Sequence, residues 1–388
     1  MSDLLARLRA MRGGAVAGPG TVAPMHGLAG AAASMGASLV EADGGIHFAR
    51  ESRLPAGSVH GAAPLGGPGL HPLLRRQAGA GNPEGPVIYL DTETTGLSGG
   101  AGTFAFLVGV GRHDPGGFSV RQLFLPGPEH EVSQLRALAA IVHDASAVVT
   151  YNGSSFDLPL LRSRFALNRL DDPFRSTAHL DLLTLARRLW RETLPDCSLG
   201  TVERHVLGAR RGADDVPGFE VPARYIAWLR THRAEGLSGV LSHNVSDIVA
   251  LTALRARFED LIEQPEPSLA PPELHGMGAW FERLGEPELA LTRYLAAASG
   301  RQQSAWQASL LLKRLGRLDE ATALWRQLGS RGHAAAWVEL AKLQEHRHRD
   351  YAEALASVEA AGSCRDADHP ELERRRARLA LRLAASDR

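Results

Sequence analysis

A short run of apolar residues in the first third of the chain stops abruptly at two acidic side chains. Residues 87–90 read Val-Ile-Tyr-Leu, follow Gly85-Pro86, and lead directly into Asp91 and Glu93. A continuous apolar run of this length, bounded by turn residues, predicts a buried strand. Because side chains alternate faces along a strand, Asp91 and Glu93 point to the same side at its end.

Apolar patterns on the C-terminal side of this run predict an α/β domain over residues 85–264. Three further strands are predicted, at 103–112, 118–125 and 145–150. Six helices are predicted from helical spacing, at 129–143, 156–168, 180–190, 198–207, 223–231 and 237–262. Three adjacent strands, a helix, a further strand and then more helices are typical of a mixed sheet.

The two ends of the chain have different patterns. Residues 1–84 begin with an amphipathic piece at 4–11 and then become rich in Gly, Ala and Pro, which predicts a flexible extension with some docked pieces and no functional centre. The four prolines within 263–272 predict a linker. The tail at 265–388 is predicted to be helical, and alanines that would let paired helices approach closely recur in it. They are Ala290, Ala321 and Ala354, and their intervals of 31 and 33 residues are close to the tetratricopeptide period. A generic helical bundle is the alternative.

The amino-acid composition limits the class of the protein and the cellular compartment in which it is expected. In 388 residues, 43 Lys and Arg balance 43 Asp and Glu, so the total charge gives no sign of a nucleic-acid coat protein, although a local basic face remains open. The cysteines, Cys197 and Cys364, lie far apart and lack zinc-ligand spacing, which indicates a reducing compartment. With no leader pattern and no membrane-length apolar run, we expect a cytoplasmic protein without membrane contact.

Two same-facing carboxylates at Asp91 and Glu93 repel each other unless a cation lies between them. Hard oxygen ligands of this type suit Mg²⁺ or Mn²⁺ rather than zinc. A buried strand that simply ends in a polar turn is the alternative interpretation.

Two further candidate sites follow later in the chain. Asp157 falls in the first turn of a predicted helix after the strand at 145–150, where a carboxylate is also favoured as a simple cap. His243 and Asp247 are four residues apart in the long predicted helix, so they project from one face. A solvated polar face also explains such a pair.

Taken together, these motifs resemble the DEDD family of 3′–5′ exonucleases, the DnaQ-like branch of the ribonuclease H-like superfamily. The shared order is Asp-x-Glu on a strand, Asn-x4-Asp after another strand, and His-x3-Asp on a late helix. The chain is also similar to YprB-type members, through the stretches 179–183, 186–190, 196–199 and 215–222. The resemblance covers about residues 85–264. It implies a mixed five-stranded ribonuclease H-like sheet flanked by helices, followed by an all-α domain of tetratricopeptide-like repeats.

The resemblance also implies roles for single residues. The metal-binding and catalytic carboxylates would be Asp91, Glu93, Asp157 and Asp247. They would hold two Mg²⁺ or Mn²⁺ ions, which activate a water and stabilise the leaving 3′ oxygen. His243 would be the general base. The histidine branch of the family usually places its histidine five residues before the last aspartate, a position that Ser242 occupies here. Asp181 and His179 are candidate supporting groups, and Asp181 also fits a helix cap.

The expected substrate is the 3′ end of single-stranded DNA or RNA. Substrate contacts are expected from Thr94, Tyr151, Asn152 and Phe156. The aromatic rings of Tyr151 and Phe156 suit stacking on bases, although core packing is an alternative and is favoured for Phe156. Four arginines are candidates to contact a phosphate backbone, although a solvated helix face also explains them. They are Arg162, Arg164, Arg187 and Arg188. The competing functional hypothesis is a non-catalytic nucleic-acid-binding scaffold whose repeats recruit a protein partner.

Overall fold

The computed structural model describes residues 25–79, 81, 84–96, 102–212, 216–263 and 269–386. The amphipathic piece at 4–11, most of the glycine-rich turn at 97–101, Asp215 and the linker residues 264–268 lie outside these ranges. Packing separates two compact units. One comprises Met1–Arg187 with Leu194–Glu266, and the other comprises Arg188–Thr193 with Pro267–Arg388.

Up to residue 263 the described strands come in runs separated by helices, and only helices follow the last strand. The strands are β1 (Ser38–Ala42), β2 (Gly45–Pro55), β3 (Val59–His60), β4 (Ala63–Pro64), β5 (Val87–Thr94), β6 (Ala105–Asp114), β7 (Gly117–Phe124), β8 (Ala147–Thr150) and β9 (Ala178–Asp181). The helices are α1 (Met25–Ser34), α2 (Pro72–Ala78), α3 (Glu131–Val142), α4 (Asp157–Leu167), α5 (Leu182–Trp190), α6 (Leu199–Val202), α7 (Val221–Thr231) and α8 (Ser238–Glu263). A π-helical turn at Glu203–Leu207 follows α6 directly.

Seven strands form one mixed sheet in the order β1-β2-β7-β6-β5-β8-β9. β5, β6 and β7 pair antiparallel in succession, whereas β5 runs parallel to β8 and β8 runs parallel to β9. The predicted mixed α/β sheet is confirmed. The parallel strands β5, β8 and β9 therefore end at the same edge of the sheet, which brings Asp91 and Glu93 beside the loop that follows β8.

The predicted number of five strands is wrong by two. The additional strands, β1 and β2, come from the region expected to be a flexible extension, and β2 pairs with β7 from Phe48 to Pro55. Their connection runs through Asp43, Gly44 and Gly45, and both glycines adopt positive φ. An Asp-Gly step between alternating apolar residues is a hairpin signal, which the surrounding Gly and Ala content obscured.

Hydrophobic clusters cover both faces of this sheet. On one face, Phe106 stacks on Tyr225 of α7 with ring centroids 4.2 Å apart, and Trp228 packs edge-on against Phe48 and Phe124. The other face is covered by leucines and phenylalanines of α3 and α4, among them Leu135, Leu138, Leu161 and Phe165. The sheet is thus a rigid platform for residues at the ends of its strands.

The second unit is helical throughout its described part. Its helices are α9 (Pro271–Arg283), α10 (Pro287–Ala297), α11 (Gln302–Arg314), α12 (Leu318–Ser330), α13 (Ala334–Leu343), α14 (Tyr351–Gly362) and α15 (His369–Ser386). The three repeating alanines, Ala290, Ala321 and Ala354, are fully buried, as small residues at close helix contacts should be. The predicted all-α C-terminal region is confirmed, and its tetratricopeptide character stays a prediction. Within the ranges given above, no helix has the length and apolarity needed to cross a membrane.

Gly109 of β6 allows α8 to approach the sheet beside the strand that carries Asp91. Gly109 is the direct cross-strand partner of Asp91, and a Cβ atom there would lie 2.2 Å from Asn244 Oδ1 and 2.3 Å from Ile248 Cδ1. We expect Gly109→Ala to lower the free energy of unfolding by about 1–3 kcal/mol through overpacking. Urea denaturation measures the change.

Gly30 in α1 is the matched control for this substitution. A Cβ atom at Gly30 meets no atom within 4 Å, so Gly30→Ala should leave stability unchanged or raise it by about 0.5–1 kcal/mol. Equal stabilities of Gly109→Ala and Gly30→Ala would contradict the close approach of α8.

Candidate active site rich in carboxylates

Asp91 is held by a buried chain of side-chain hydrogen bonds. Asn244 of α8, fully buried, donates from Nδ2 to Asp91 Oδ2 at 2.8 Å. Gln122 of β7 donates to Asn244 Oδ1 at 2.9 Å and accepts from Arg50 of β2 at 2.8 Å. The orientation of Asp91 is therefore fixed through β7 by a residue of the N-terminal hairpin.

The four predicted acidic residues lie close enough to repel one another. Burial raises the pKa of Asp91 well above its usual range, and the charges of Asp247, Glu93 and Asp157 raise it further. Burial also raises the pKa of Glu93 to about 8, with Asp247 and Asp157 adding to the effect and His243 opposing it. The fold thus brings together the carboxylates that the sequence motifs place far apart in the chain.

Asp157 begins α4 and faces β5. Its Oδ1 accepts from Thr92 Oγ1 at 2.5 Å. Burial raises the pKa of Asp157 to about 6, against the hydrogen bonds from Thr92 and the backbone. The aspartate at the end of β9, Asp181, accepts from the backbone N–H groups of Asn152, at 2.8 Å, and of Ser154, at 3.1 Å. Asp181 therefore shapes the loop that carries Asp157.

Asp181 also accepts from the N–H of Leu183 at 3.1 Å, so its two proposed roles, support of the site and helix capping, both have a structural basis. His179, the other candidate supporting group, contacts Thr150 at the end of β8, with 2.9 Å between Nε2 and Oγ1. Both residues contact the end of β8 or the loop after it, and the charge of Asp181 also raises the pKa of Asp157.

Asp247 and His243 point from one face of α8, as their spacing predicts. His243 Nε2 lies 3.4 Å from Asp247 Oδ2, whereas Ser242 is exposed. Asp247 also accepts from Arg211 Nη2 at 2.5 Å. Burial raises the pKa of Asp247, while the charges of His243 and Arg211 oppose this rise. A histidine four residues before the last aspartate thus reaches that aspartate.

The predicted substrate-contacting residues line the same edge of the sheet. Thr94 ends β5 and donates to Gly96 O at 3.0 Å. Asn152 adopts a φ of 64° in the loop after β8, and Tyr151 donates from its hydroxyl to Cys197 O at 2.6 Å. Phe156 is 52% exposed, so the interpretation of its ring as part of the core is wrong. Its neighbour Asp157 is buried, so these adjacent residues have opposite environments.

The predicted arginine track is only partly compatible with the structure. Arg164 is 5% exposed and forms a two-pronged ion pair with the buried Glu131, so it is not available to a phosphate backbone. Arg162 is about half exposed and pairs with Asp172 at 3.3 Å. Burial also excludes the alternative of a solvated helix face for Arg164, because a helix of mixed polarity does not reveal which of its charged residues are buried.

The donor set fits a hard divalent cation. All four candidate ligands are carboxylates, and their mutual repulsion favours the binding of a cation among them. Among the residues that the structure describes, no three His, Cys, Asp or Glu side chains converge closely enough to hold a metal ion. Three of the carboxylates instead accept from protein donors, Asp91 from Asn244, Asp157 from Thr92, and Asp247 from Arg211. These donors leave further lone pairs on each carboxylate, so the side chains need only come closer together to hold an ion.

Motif reading missed several residues that position the acidic cluster. These are Asn244, Gln122, Arg50, Arg211 and Glu203. Asn244 offered a signal, since a polar residue three positions before Asp247 lies on the same helix face. The others act across the tertiary structure, and nothing in their local sequence distinguishes them from surface polar residues.

Comparison with known proteins assigns the chain to a family. Residues 88–258 match the model described as the RNase H superfamily. The uncharacterized protein YprB of Bacillus subtilis (strain 168) is 36% identical over 283 residues, which cover 70% of this chain and 68% of YprB. The chain belongs to the YprB family. A solved structure similar to this YprB-family chain is the family B DNA polymerase of the hyperthermophilic archaeon Pyrobaculum calidifontis. It matches with 16% identity and a TM-score of 0.36, over 54% of this chain and 28% of the polymerase chain.

Proposed function

We propose that this protein is a metal-dependent 3′–5′ exonuclease that hydrolyses phosphodiester bonds of DNA or RNA. Membership in the RNase H superfamily supports nucleic-acid processing in general. The observation that carries the finer proposal is the gathering of Asp91, Glu93, Asp157 and Asp247 at one edge of the sheet, where each pKa is raised. Two Mg²⁺ or Mn²⁺ ions held by such carboxylates would activate a water and stabilise the leaving oxygen.

The residues around the carboxylates have separate tasks in this proposal. Asn244 orients Asp91 through its 2.8 Å hydrogen bond, and Thr92 orients Asp157. His243, beside Asp247, takes the proton of the attacking water as general base. Tyr151, tied to Cys197 O, and Thr94 frame the loop edge along which the 3′ end of the strand lies.

A nuclease assay on the full-length protein tests the proposal. End-labelled single-stranded DNA and RNA are incubated with Mn²⁺, with Mg²⁺, or with chelator, and the products are separated by length. We expect stepwise shortening from the 3′ end that requires a metal ion. Binding of the strands without shortening under any condition would instead support the non-catalytic scaffold.

The exposed ring of Phe156 is expected to stack on a base of the bound strand. Stacking of this kind contributes about 1–3 kcal/mol per base, so Phe156→Ala should weaken binding of a phosphorothioate single strand by about 5- to 150-fold. Leu167, 51% exposed at the opposite end of α4, is the control, and Leu167→Ala should bind as the wild type does. Fluorescence anisotropy measures both. Equal affinities of the two variants would remove Phe156 from the substrate site.

We propose that the helical tail recruits a protein partner as a tetratricopeptide-like array. The burial of Ala290, Ala321 and Ala354, together with the aromatic or aliphatic residue four positions after each, supports this proposal. In this proposal the nuclease site lies in the domain at 85–264, and the site for the protein partner lies in the region at 265–388. A cytoplasmic location is proposed on the basis of the sparse cysteines.

A further inference from the structure

Arg211 lies against the last acidic residue of the site and is fixed there from the other side. Its Nη2 donates to Asp247 Oδ1 at 2.5 Å and to Glu203 Oε2 at 2.5 Å, and its Nε donates to the same Glu203 oxygen at 2.8 Å. The Glu203 side chain is 2% exposed and also lies 2.8 Å from His60 Nε2. The guanidinium is therefore clamped between a buried structural acid and a candidate metal ligand.

The same guanidinium reaches His243. Arg211 Nη1 lies 3.2 Å from His243 Nδ1. Because a guanidinium has donors and no acceptor, Nδ1 must accept, and the proton of the neutral ring is then on Nε2. Nε2 faces Asp247 Oδ2 at 3.4 Å. Arg211 thus fixes both the tautomer and the direction of the histidine proposed as general base.

The segment that carries Arg211 is supported by the N-terminal region. Ala62, between β3 and β4, donates from its N–H to Leu207 O at 2.8 Å. A Cβ atom at Gly61 would lie 2.3 Å from the same carbonyl oxygen, so only glycine permits this approach. The backbone contacts of this segment therefore fix the position of Arg211 beside Asp247.

We propose that Arg211 is a built-in counter-ion that competes with a divalent metal ion for Asp247. The lone pair of Asp247 Oδ1 that accepts from Arg211 is not available to a metal ion, and the fixed positive charge of the guanidinium beside it weakens the binding of a divalent cation. Metal binding displaces the whole guanidinium, whose Nη2 contacts Asp247 and whose Nη1 contacts His243, so that Nδ1 of His243 is freed as well. This inference rests on the proposed function, because it requires that the four carboxylates bind metal.

Titration of the full-length protein with Mn²⁺ alone, followed by calorimetry at one fixed pH, tests the competition. We expect Arg211→Gln to bind Mn²⁺ about tenfold more tightly than the wild type, which is the scale of one charge-assisted hydrogen bond. Arg210→Gln, at the exposed neighbouring position, removes the same charge and should bind as the wild type does. Arg211→Lys keeps the charge but not the fork, so its gain should be smaller than that of Arg211→Gln.

The outcomes separate the counter-ion from the metal site itself. Equal or weaker Mn²⁺ binding by Arg211→Gln, with binding by the wild type, would overturn the role of Arg211 and leave the proposed function standing. Absence of Mn²⁺ binding in every variant would overturn both. If thermal denaturation shows that Arg211→Gln does not fold, Arg211→Lys becomes the test variant. Mn²⁺ binding by Arg211→Lys that is no tighter than that of the wild type then overturns the proposal.

Discussion

Asp91→Asn is expected to reduce metal-dependent shortening of a single-stranded substrate by at least about 100-fold. Residues that only support metal ligands commonly contribute 10- to 100-fold, and Asp91 is proposed as a ligand itself. The substitution preserves shape, and the new amide oxygen can still accept the hydrogen bond from Asn244. What it removes is one negative charge from the cluster. Initial rates on end-labelled DNA and RNA, at saturating Mn²⁺, measure the effect.

Stability should change in the opposite direction in the same variant. Burial and the charges of Asp247, Glu93 and Asp157 disfavour the ionised form of Asp91, so a neutral side chain there relieves repulsion. We therefore expect Asp91→Asn to unfold at the same or higher urea concentration than the wild type. Asp144→Asn, at a side chain that is 83% exposed, is the control and should change neither property. A variant that loses activity by unfolding, or that cleaves as well as wild type, would contradict the assignment of Asp91.

The acidic residues of the site could be found from sequence because each has a local signature. Asp91 and Glu93 end an apolar strand, Asp157 opens a helix after another strand, and Asp247 follows His243 by one helical turn. Parallel pairing of β5 with β8 then places the first two motifs at one edge. Strand and helix periodicity therefore marks each acidic residue as a candidate, whereas their grouping into one site was implied by the resemblance to the DEDD exonucleases, and neither gives their distances.

Residues that act through long-range contacts could not be found in this way. Arg50 reaches the site through Gln122 and Asn244, and these residues come from strands and a helix that only the completed sheet brings together. Arg211 follows a π-helical turn and precedes residues outside the described ranges, so no periodic pattern marks it. The same limit applies to Arg164, for which the sequence offers a phosphate track or a solvated helix face but not burial, since burial of a charge depends on its partner.

Arg164 and Glu131 form a buried ion pair whose disruption should cost more stability than the Gly109 substitution. Arg164 donates from Nε to Glu131 Oε1 at 2.6 Å and from Nη2 to Oε2 at 2.5 Å, and its guanidinium lies 4.1 Å from the centre of the Phe104 ring. Arg164→Met leaves the Glu131 carboxylate buried, with the hydrogen bond from Asn168 Nδ2 at 2.8 Å still in place. We expect the free energy of unfolding to fall by about 3–5 kcal/mol. Urea denaturation measures the loss.

The double variant Glu131→Gln with Arg164→Met distinguishes a lost charge partner from lost packing. A neutral amide at position 131 needs no cation and can still accept from Asn168, so most of the stability should return. Glu131→Gln alone should destabilise less than Arg164→Met. An arginine without its partner can extend its guanidinium to water along its long stem, whereas the shorter Glu131 side chain cannot bring its carboxylate to water. If the double variant is as unstable as Arg164→Met, the methylene stem and the contact with Phe104 account for the loss, and the ion pair does not. Because α3 and α4 meet at this pair and α4 carries Asp157 in its first turn, recovery in the double variant should extend to metal-dependent cleavage.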